Sequence, residues 1–134
     1  METGYVYISE YIFPTLLAIS DQEQAKGLMR QPWPPPIMSF VYASPRVNKF
    51  WMKNTPSPLD IVFCNNGEIT QICKGVPNST ATIGDNSFSD LVIEFPYGTM
   101  EQSNVKIGNS VGLIKPNHKQ LKKIFAEKYN LFLK

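Results

Sequence analysis

Between two apolar runs the chain reads Phe50-Trp51-Met52-Lys53-Asn54-Thr55-Pro56-Ser57-Pro58-Leu59-Asp60-Ile61-Val62-Phe63. Two aromatics, a cation, an amide, hydroxyls and an acid crowd into one short stretch. An ordinary strand–turn–strand segment does not need that density of special groups. Under strand alternation, Phe50, Met52 and Asn54 point one way while Trp51 and Lys53 point the other. The two prolines stiffen residues 55–58 into an extended corner. If the chain folds back there, Asp60 comes within reach of Lys53 or Thr55. A lysine near an acid in a partly dry cleft can hold an anion or move a proton. A sugar ring could stack on Trp51 while Asn54 and Asp60 bind its hydroxyls. Trp51, Lys53, Asn54, Thr55 and Asp60 are therefore the candidate ligand-binding set. The same residues also have a plain structural explanation, and it is the stronger of the two. Asn, Thr and Asp satisfy stranded backbone groups around a corner, and Trp51 and Met52 fill a small core.

Other chemistry is sparse. His118 is the only histidine and there is no Cys-x-x-Cys pair, so neither a metal nor a cofactor is expected. Cys64 and Cys73 lie on the two strands of one predicted hairpin and could face each other. Two thiols in a chain with no secretion signal are expected to be reduced and buried. No Gly-x-Ser-x-Gly elbow and no phosphate-cradling glycine loop occurs. Asp85 and Asp90 fall in a polar loop where turn formation explains them. Catalytic residues are not assigned.

The elements that must position these groups follow from composition and pattern. A chain of 134 residues implies one domain, and 11 prolines with 8 glycines favour turns and strands over a helical bundle. No run approaches the roughly 20 apolar residues of a membrane span. The N-terminus lacks the basic start and apolar core of a signal peptide, so synthesis and folding in the cytoplasm are expected. Residues 4–13 alternate as one or two strands, with Pro14 at an edge or bend. Ser20 or Asp21 reads as the N-cap, with Glu23 or Gln24 suited to the N3 position, of a helix over residues 21–29. Strands are predicted at residues 37–42, 49–53, 59–64, 68–75, 91–95 and 111–114, with a turn at 43–47. Asn65-Asn66-Gly67 is a hairpin signal, because Asn-Gly accepts the positive φ of a type I′ turn. Residues 99–106 read as a short helix or an irregular link.

The order of landmarks carries a resemblance. Ala25-Lys26-Gly27-Leu28-Met29-Arg30 comes first, followed by Met38 and Phe40. Then come Phe50-Trp51-Met52-Lys53-Asn54-Thr55, Pro58-Leu59-Asp60, Val92-Ile93-Glu94 and Ile107-Gly108-Asn109-Ser110-Val111. Over residues 18–114 this resembles the domain-of-unknown-function 192 family. The resemblance implies a compact, barrel-like β domain with a short helix at the Gly-Leu-Met element, and no catalytic mechanism. Relatives are often exported, and some occur in tailed bacteriophages. This chain departs from them in lacking an export signal and in adding a basic segment.

Residues 115–134 carry six lysines and one acid, a charge of +5, while the remainder carries −3. Within that tail Leu121, Ile124, Phe125, Tyr129 and Phe132 recur at helical spacing. If fully buried, they would contribute on the order of 8–15 kcal/mol before entropy, so the stripe is expected to have a partner, internal or external. The sequence thus predicts a mainly β (α+β) chain. Its residues 1–114 form a barrel-like domain and residues 115–134 a basic amphipathic helix. The leading functional expectation is a non-catalytic protein–protein interaction or structural module. It would dock through Leu121, Ile124, Phe125, Tyr129 and Phe132 onto another protein or a second copy, as a component of a larger assembly such as a virion. The alternative is an envelope-type module binding a small ligand, such as a carbohydrate, at Trp51, Lys53, Asn54 and Asp60. A hydrolase comes third. Nucleic-acid or membrane contact by the lysine-rich tail is a weaker reading.

Overall fold

The computed structural model describes residues 1–114. The predicted tail helix, with its docking stripe and His118, lies outside the described residues. The domain is mostly β, as expected: β1 (Glu2–Ile8), β2 (Tyr11–Ala18), β3 (Met38–Val47), β4 (Leu59–Asn65), β5 (Glu68–Gly75), β6 (Phe88–Pro96) and β7 (Val111–Ile114). Two short helices, α1 (Asp21–Lys26) and α2 (Thr99–Gln102), interrupt them. The strands form one seven-stranded sheet in the order β5-β4-β6-β3-β2-β1-β7. Only β2 and β3 pair in parallel; the other neighbours are antiparallel. The sheet curls into a half-barrel whose two edges approach at one end. There Val111 N–H donates to the Gly67 carbonyl at 2.9 Å and Ile69 N–H to the Asn109 carbonyl at 3.0 Å.

Curling gives the sheet two buried faces. The inner face gathers Val6, Ile8, Val62, Cys64, Ile69, Ile93, Phe95 and Val111, drawing on both edge strands, and is plugged by Met100 of α2. The outer face carries Ala18, Met38, Phe40, Leu59, Ile61, Phe63 and Val92, covered by Leu28 and Met52. β4 shows why its sequence does not alternate apolar with polar. Leu59, Ile61 and Phe63 belong to the outer cluster, and Val62 and Cys64 to the inner one.

Local signals read from the sequence are largely realised. Ser20 Oγ accepts from Glu23 N–H at 3.1 Å and the Glu23 carboxylate accepts from Ser20 N–H at 3.0 Å, completing the capping box. Asn66 and Gly67 take φ of 50° and 77° in the β4–β5 turn. Pro14 sits in β2 where its missing N–H would face the β3 side, before β3 has begun. Four expectations are corrected. The first helix stops at Lys26 rather than Met29, because Gly27 turns to φ 51°. Residues 43–47 are not a turn; β3 runs through them after a register shift between Val41 and Arg46. Residues 49–53 form no strand, only an isolated bridge of Phe50 to Ile83, since Asn54 at φ 54° and two prolines end any extension. Cys64 and Cys73 do not face each other: Cys64 opposes Ile69 and Cys73 opposes Ile61, and both are free thiols.

Met52 and Trp51 divide the labour of their segment. Met52 is fully buried, and Gly75 permits it: a Cβ at Gly75 would lie 2.6 Å from Met52 Sδ. Trp51 is 48% exposed. Met52→Ala is expected to lower folding stability by about 2–5 kcal/mol, and Trp51→Ala by about 1 kcal/mol or less. Urea denaturation of both variants checks this, and equal losses would refute the assignment of Met52 as the anchor.

Candidate functional site

The outer face of the sheet carries one charged side chain among its apolar neighbours. In β6, Leu91-Val92-Ile93-Glu94-Phe95 alternates between the faces, so Glu94 shares the outer face with Val92. Its strand partners are Ile61 and Met38. Glu94 is 4% exposed. Among the described residues no group donates a hydrogen bond to its carboxyl. Burial pushes that carboxyl up to about 8 from an ordinary 4.5, with no opposing attraction.

Two loop segments cover it. After α1, Gly27 N–H bonds the Glu23 carbonyl at 3.0 Å. Gly27 then passes over the sheet, where a Cβ would stand in ordinary van der Waals contact, 3.7 Å from Glu94 Oε1 and 3.5 Å from the Phe40 ring. Leu28 follows, buried at 2% exposure. α1 itself is tied to the sheet by Gln24, whose Nε2 donates to the Ala18 and Val41 carbonyls, both at 3.0 Å. The second segment is residues 50–55. Phe50 exchanges backbone bonds with Ile83 at 3.0 and 2.8 Å, and Met52 N–H reaches the Ser79 carbonyl at 2.9 Å. Phe50 stacks edge-on against Phe40 and Phe63, with ring centroids 4.9 and 5.9 Å away. Arg30 N–H donates to the Asn54 carbonyl at 2.8 Å, which fastens the two segments to each other.

Between cover and sheet lies a cavity of about 320 Å³, lined among others by Glu94, Gly27, Tyr42, Phe50 and Trp51. Exposed Lys26, Arg46 and Lys49 line its mouth with one acid, Asp21. The Arg46 guanidinium lies 4.5 Å from the Tyr42 ring centroid, and its Nε donates to Asn48 Oδ1 at 2.7 Å. Burial raises the Tyr42 hydroxyl to about 12; Arg46 pulls it down and Glu94 pushes it up. A second cavity of about 230 Å³ shares Lys49, Phe50 and Trp51.

The five residues singled out from sequence are not one cluster. Trp51 and Thr55 line the cavity. The Thr55 hydroxyl is already spent on the Lys53 carbonyl at 3.1 Å. Lys53 lies outside the cavity, its Nζ 5.1 Å from the Trp51 ring centroid. Asn54 acts through its backbone, as a left-handed turn residue. Asp60 is on the inner face of the sheet, opposite the cavity. Its Oδ2 accepts from Gly98 N–H at 3.1 Å and Met100 N–H at 3.0 Å, anchoring α2. Burial raises the Asp60 carboxyl, and those N–H groups pull it back. The residues that sequence reasoning passed over are Glu94, Tyr42, Arg46 and Lys49. For Glu94 a signal was present: an acid inside a strand too apolar to have a solvent face.

A family model described as Uncharacterized ACR, domain of unknown function 192, matches residues 9–113. The chain belongs to that family. Among solved structures it is similar to a candidate transcription regulator from Sinorhizobium meliloti 1021, at 29% identity and a TM-score of 0.76, covering 83% of this chain and 93% of that one. It is also similar to a protein of unknown function from Novosphingobium aromaticivorans DSM 12444, at 28% identity and 0.73, covering 82% and 83%. A search of curated proteins found no match. Three elements that carry the family resemblance, Gly27-Leu28-Met29, residues 50–55 and Glu94, are the ones that converge on this cavity.

No three His, Cys, Asp or Glu side chains group as a metal site among the described residues. Both thiols lie outside the cavity, and burial pushes Cys64 up to about 12.

The raised Glu94 carboxyl makes stability depend on pH in a defined direction. The folded protein keeps the proton up to about 8, whereas an ordinary carboxyl releases it near 4.5. The penalty is absent below the lower value and grows as pH rises toward the higher. Glu94→Gln is therefore expected to match the wild type near pH 4 within about 1 kcal/mol and to exceed it by roughly 3–5 kcal/mol at pH 8.5. Urea titrations at both pH values decide it; a gap that does not widen with pH would refute the burial of an unpaired carboxyl.

Proposed function

We propose that the domain is a small-ligand-binding module whose pocket is the cavity over Glu94. One observation carries this reading: a buried carboxyl, without a hydrogen-bond donor among the described residues, lies in the lining of a cavity of about 320 Å³. A buried polar group left without a partner costs about 1–3 kcal/mol, and more when charged. A leucine at this position would avoid that cost, so the acid is best explained by a donor that arrives from outside. The volume falls at the lower end of the roughly 300–1,000 Å³ typical of small-molecule sites. The lining combines aromatic walls from Phe40, Tyr42, Phe50 and Trp51 with a largely polar and charged rim. Trp51, half exposed at the mouth, offers a flat apolar surface for a ligand to lie on. The pocket differs from the cleft expected from sequence, since Glu94 takes the place of Asp60 and Lys53. Docking of the tail into a larger assembly concerns residues 115–134 and is compatible with a ligand pocket on the domain.

Thermal denaturation of the full chain against a panel of amino acids, mono- and disaccharides and nucleosides at millimolar concentration tests the reading. At least one compound is expected to raise Tm by several degrees, as a ligand far above its Kd does. The shift should shrink in Trp51→Ala and Glu94→Gln. No shift with any compound, or shifts unchanged in both variants, would refute it.

A further inference from the structure

The charges of the pocket are segregated by depth. Its interior holds one titratable acid, Glu94, against the rings of Phe40, Tyr42 and Phe50. Its mouth holds three cations and one acid. Every element packed around the cavity contributes to that pattern: Asp21 and Lys26 from α1, Tyr42 and Arg46 from β3, and Lys49 from the segment before Phe50. β4 presents only Ile61 beside Glu94. A simple cation would find inside an acid able to become its counter-charge but meet repulsion at the entrance. A simple anion would be attracted to the entrance and find nothing to hold it within. A ligand with both charges fits both ends.

Resting on the reading of this cavity as a ligand pocket, we propose that it takes a small zwitterion of the α-amino acid class, ammonium inward on Glu94 and carboxylate outward on Arg46 and Lys49. The inner end is suited to an ammonium because Glu94 accepts no hydrogen bond among the described residues and has its acceptor capacity uncommitted. The outer end is suited to a carboxylate. Arg46 is held by Asn48 through its Nε and lies against Tyr42, which positions its guanidinium charge at the entrance. Lys49 is held near the mouth by its bond to the Gly84 carbonyl at 3.2 Å.

Binding of such a ligand is coupled to proton release. Below about pH 8 the empty pocket holds Glu94 mostly protonated. An ammonium favours the carboxylate, so the proton leaves to solvent as the ligand enters. Affinity then rises with pH up to about 8 and falls once the ligand's own ammonium titrates. A neutral hydroxylated ligand accepting a hydrogen bond from the protonated acid would behave in the opposite way, binding more weakly as pH passes 8.

Isothermal titration calorimetry of the full chain with the twenty L-amino acids, at pH 6.5 in two buffers of different ionisation enthalpy, tests the proposal. At least one should bind with net proton release. Its N-acetyl and methyl-ester forms should each bind at least about tenfold more weakly, since each removes one charge. Glu94→Gln, which keeps the side-chain shape, should lose the proton release and weaken binding by a similar factor. Circular dichroism and Tm confirm that this variant is folded. If glucose, N-acetylglucosamine or a nucleoside binds and no amino acid does, the zwitterion is overturned while the pocket reading stands. If amino acids bind without proton release, or bind Glu94→Gln equally well, the assigned orientation is overturned. If none of these compounds binds, both readings fall.

Discussion

A carboxyl held against an apolar sheet face, with no donor to meet it, is the constraint around which the rest of this structure is arranged. Glu94 is flanked by Ile61 and Met38 along the sheet and overhung by Gly27. The carboxyl meets the outside only through the cavity that it helps to line. Gly27 sets the path of the cover through its backbone. Its φ of 51° ends α1, and the missing side chain leaves the space beside Glu94 Oε1. A larger residue there would be strained in backbone and would intrude on the cavity. One glycine thus terminates a helix, lets Leu28 drop into the core and shapes the pocket.

The two buried acids of the sheet show that this arrangement is not a general tolerance for buried charge. Asp60 and Glu94 lie on adjacent strands, on opposite faces, at nearly equal exposure of 6% and 4%. Asp60 accepts two backbone N–H bonds and fixes the turn into α2. Its contribution is structural and complete within the domain. Glu94 faces a space of roughly ligand size and meets no such donors. Burial raises both carboxyls, but only Asp60 has N–H groups to offset it. The same residue chemistry, placed on two faces of one sheet, serves a scaffold on one side and an opening on the other.

Much of the scaffold was legible because it rests on short-range chemistry. Ser20 with Glu23, Asn66 with Gly67, and the apolar runs of β4 and β6 each act within a few residues, and each formed where its sequence indicated. The misread parts depend on distant neighbours. Residues 49–53 have strand-like composition, but their backbone partners are Ile83 and Ser79, members of a polar loop that offers one bridge instead of a ladder. β3 passes through Ala43-Ser44-Pro45 because β6 resumes pairing beyond the shift at Arg46 and Val47. The site itself was half legible. Trp51 and Thr55 line the cavity, while Asp60 was grouped with them because the corner at Pro56 and Pro58 says nothing about which side of the sheet the next strand presents. Parity along β4 and β6 holds that information: Asp60 falls in step with Val62, and Glu94 with Val92.

The way the cover is fastened bears on how such a pocket could work. Residues 27–30 and 50–55 are held mainly by backbone hydrogen bonds, to each other through Arg30 and Asn54 and to the loop through Phe50 and Met52. Backbone bonds of this kind fix the walls without using the side chains that line them. The wall is therefore built before any ligand arrives, and the ordering of loops need not be charged against binding. The long side chains at the mouth, Lys26, Arg46 and Lys49, are solvent-exposed, and two of them are tied in place, Arg46 to Asn48 and Lys49 to the Gly84 carbonyl. Specificity in such a site is divided. The rigid interior sets the size and the donor that can reach Glu94, and the charged rim selects the charge of whatever remains outside.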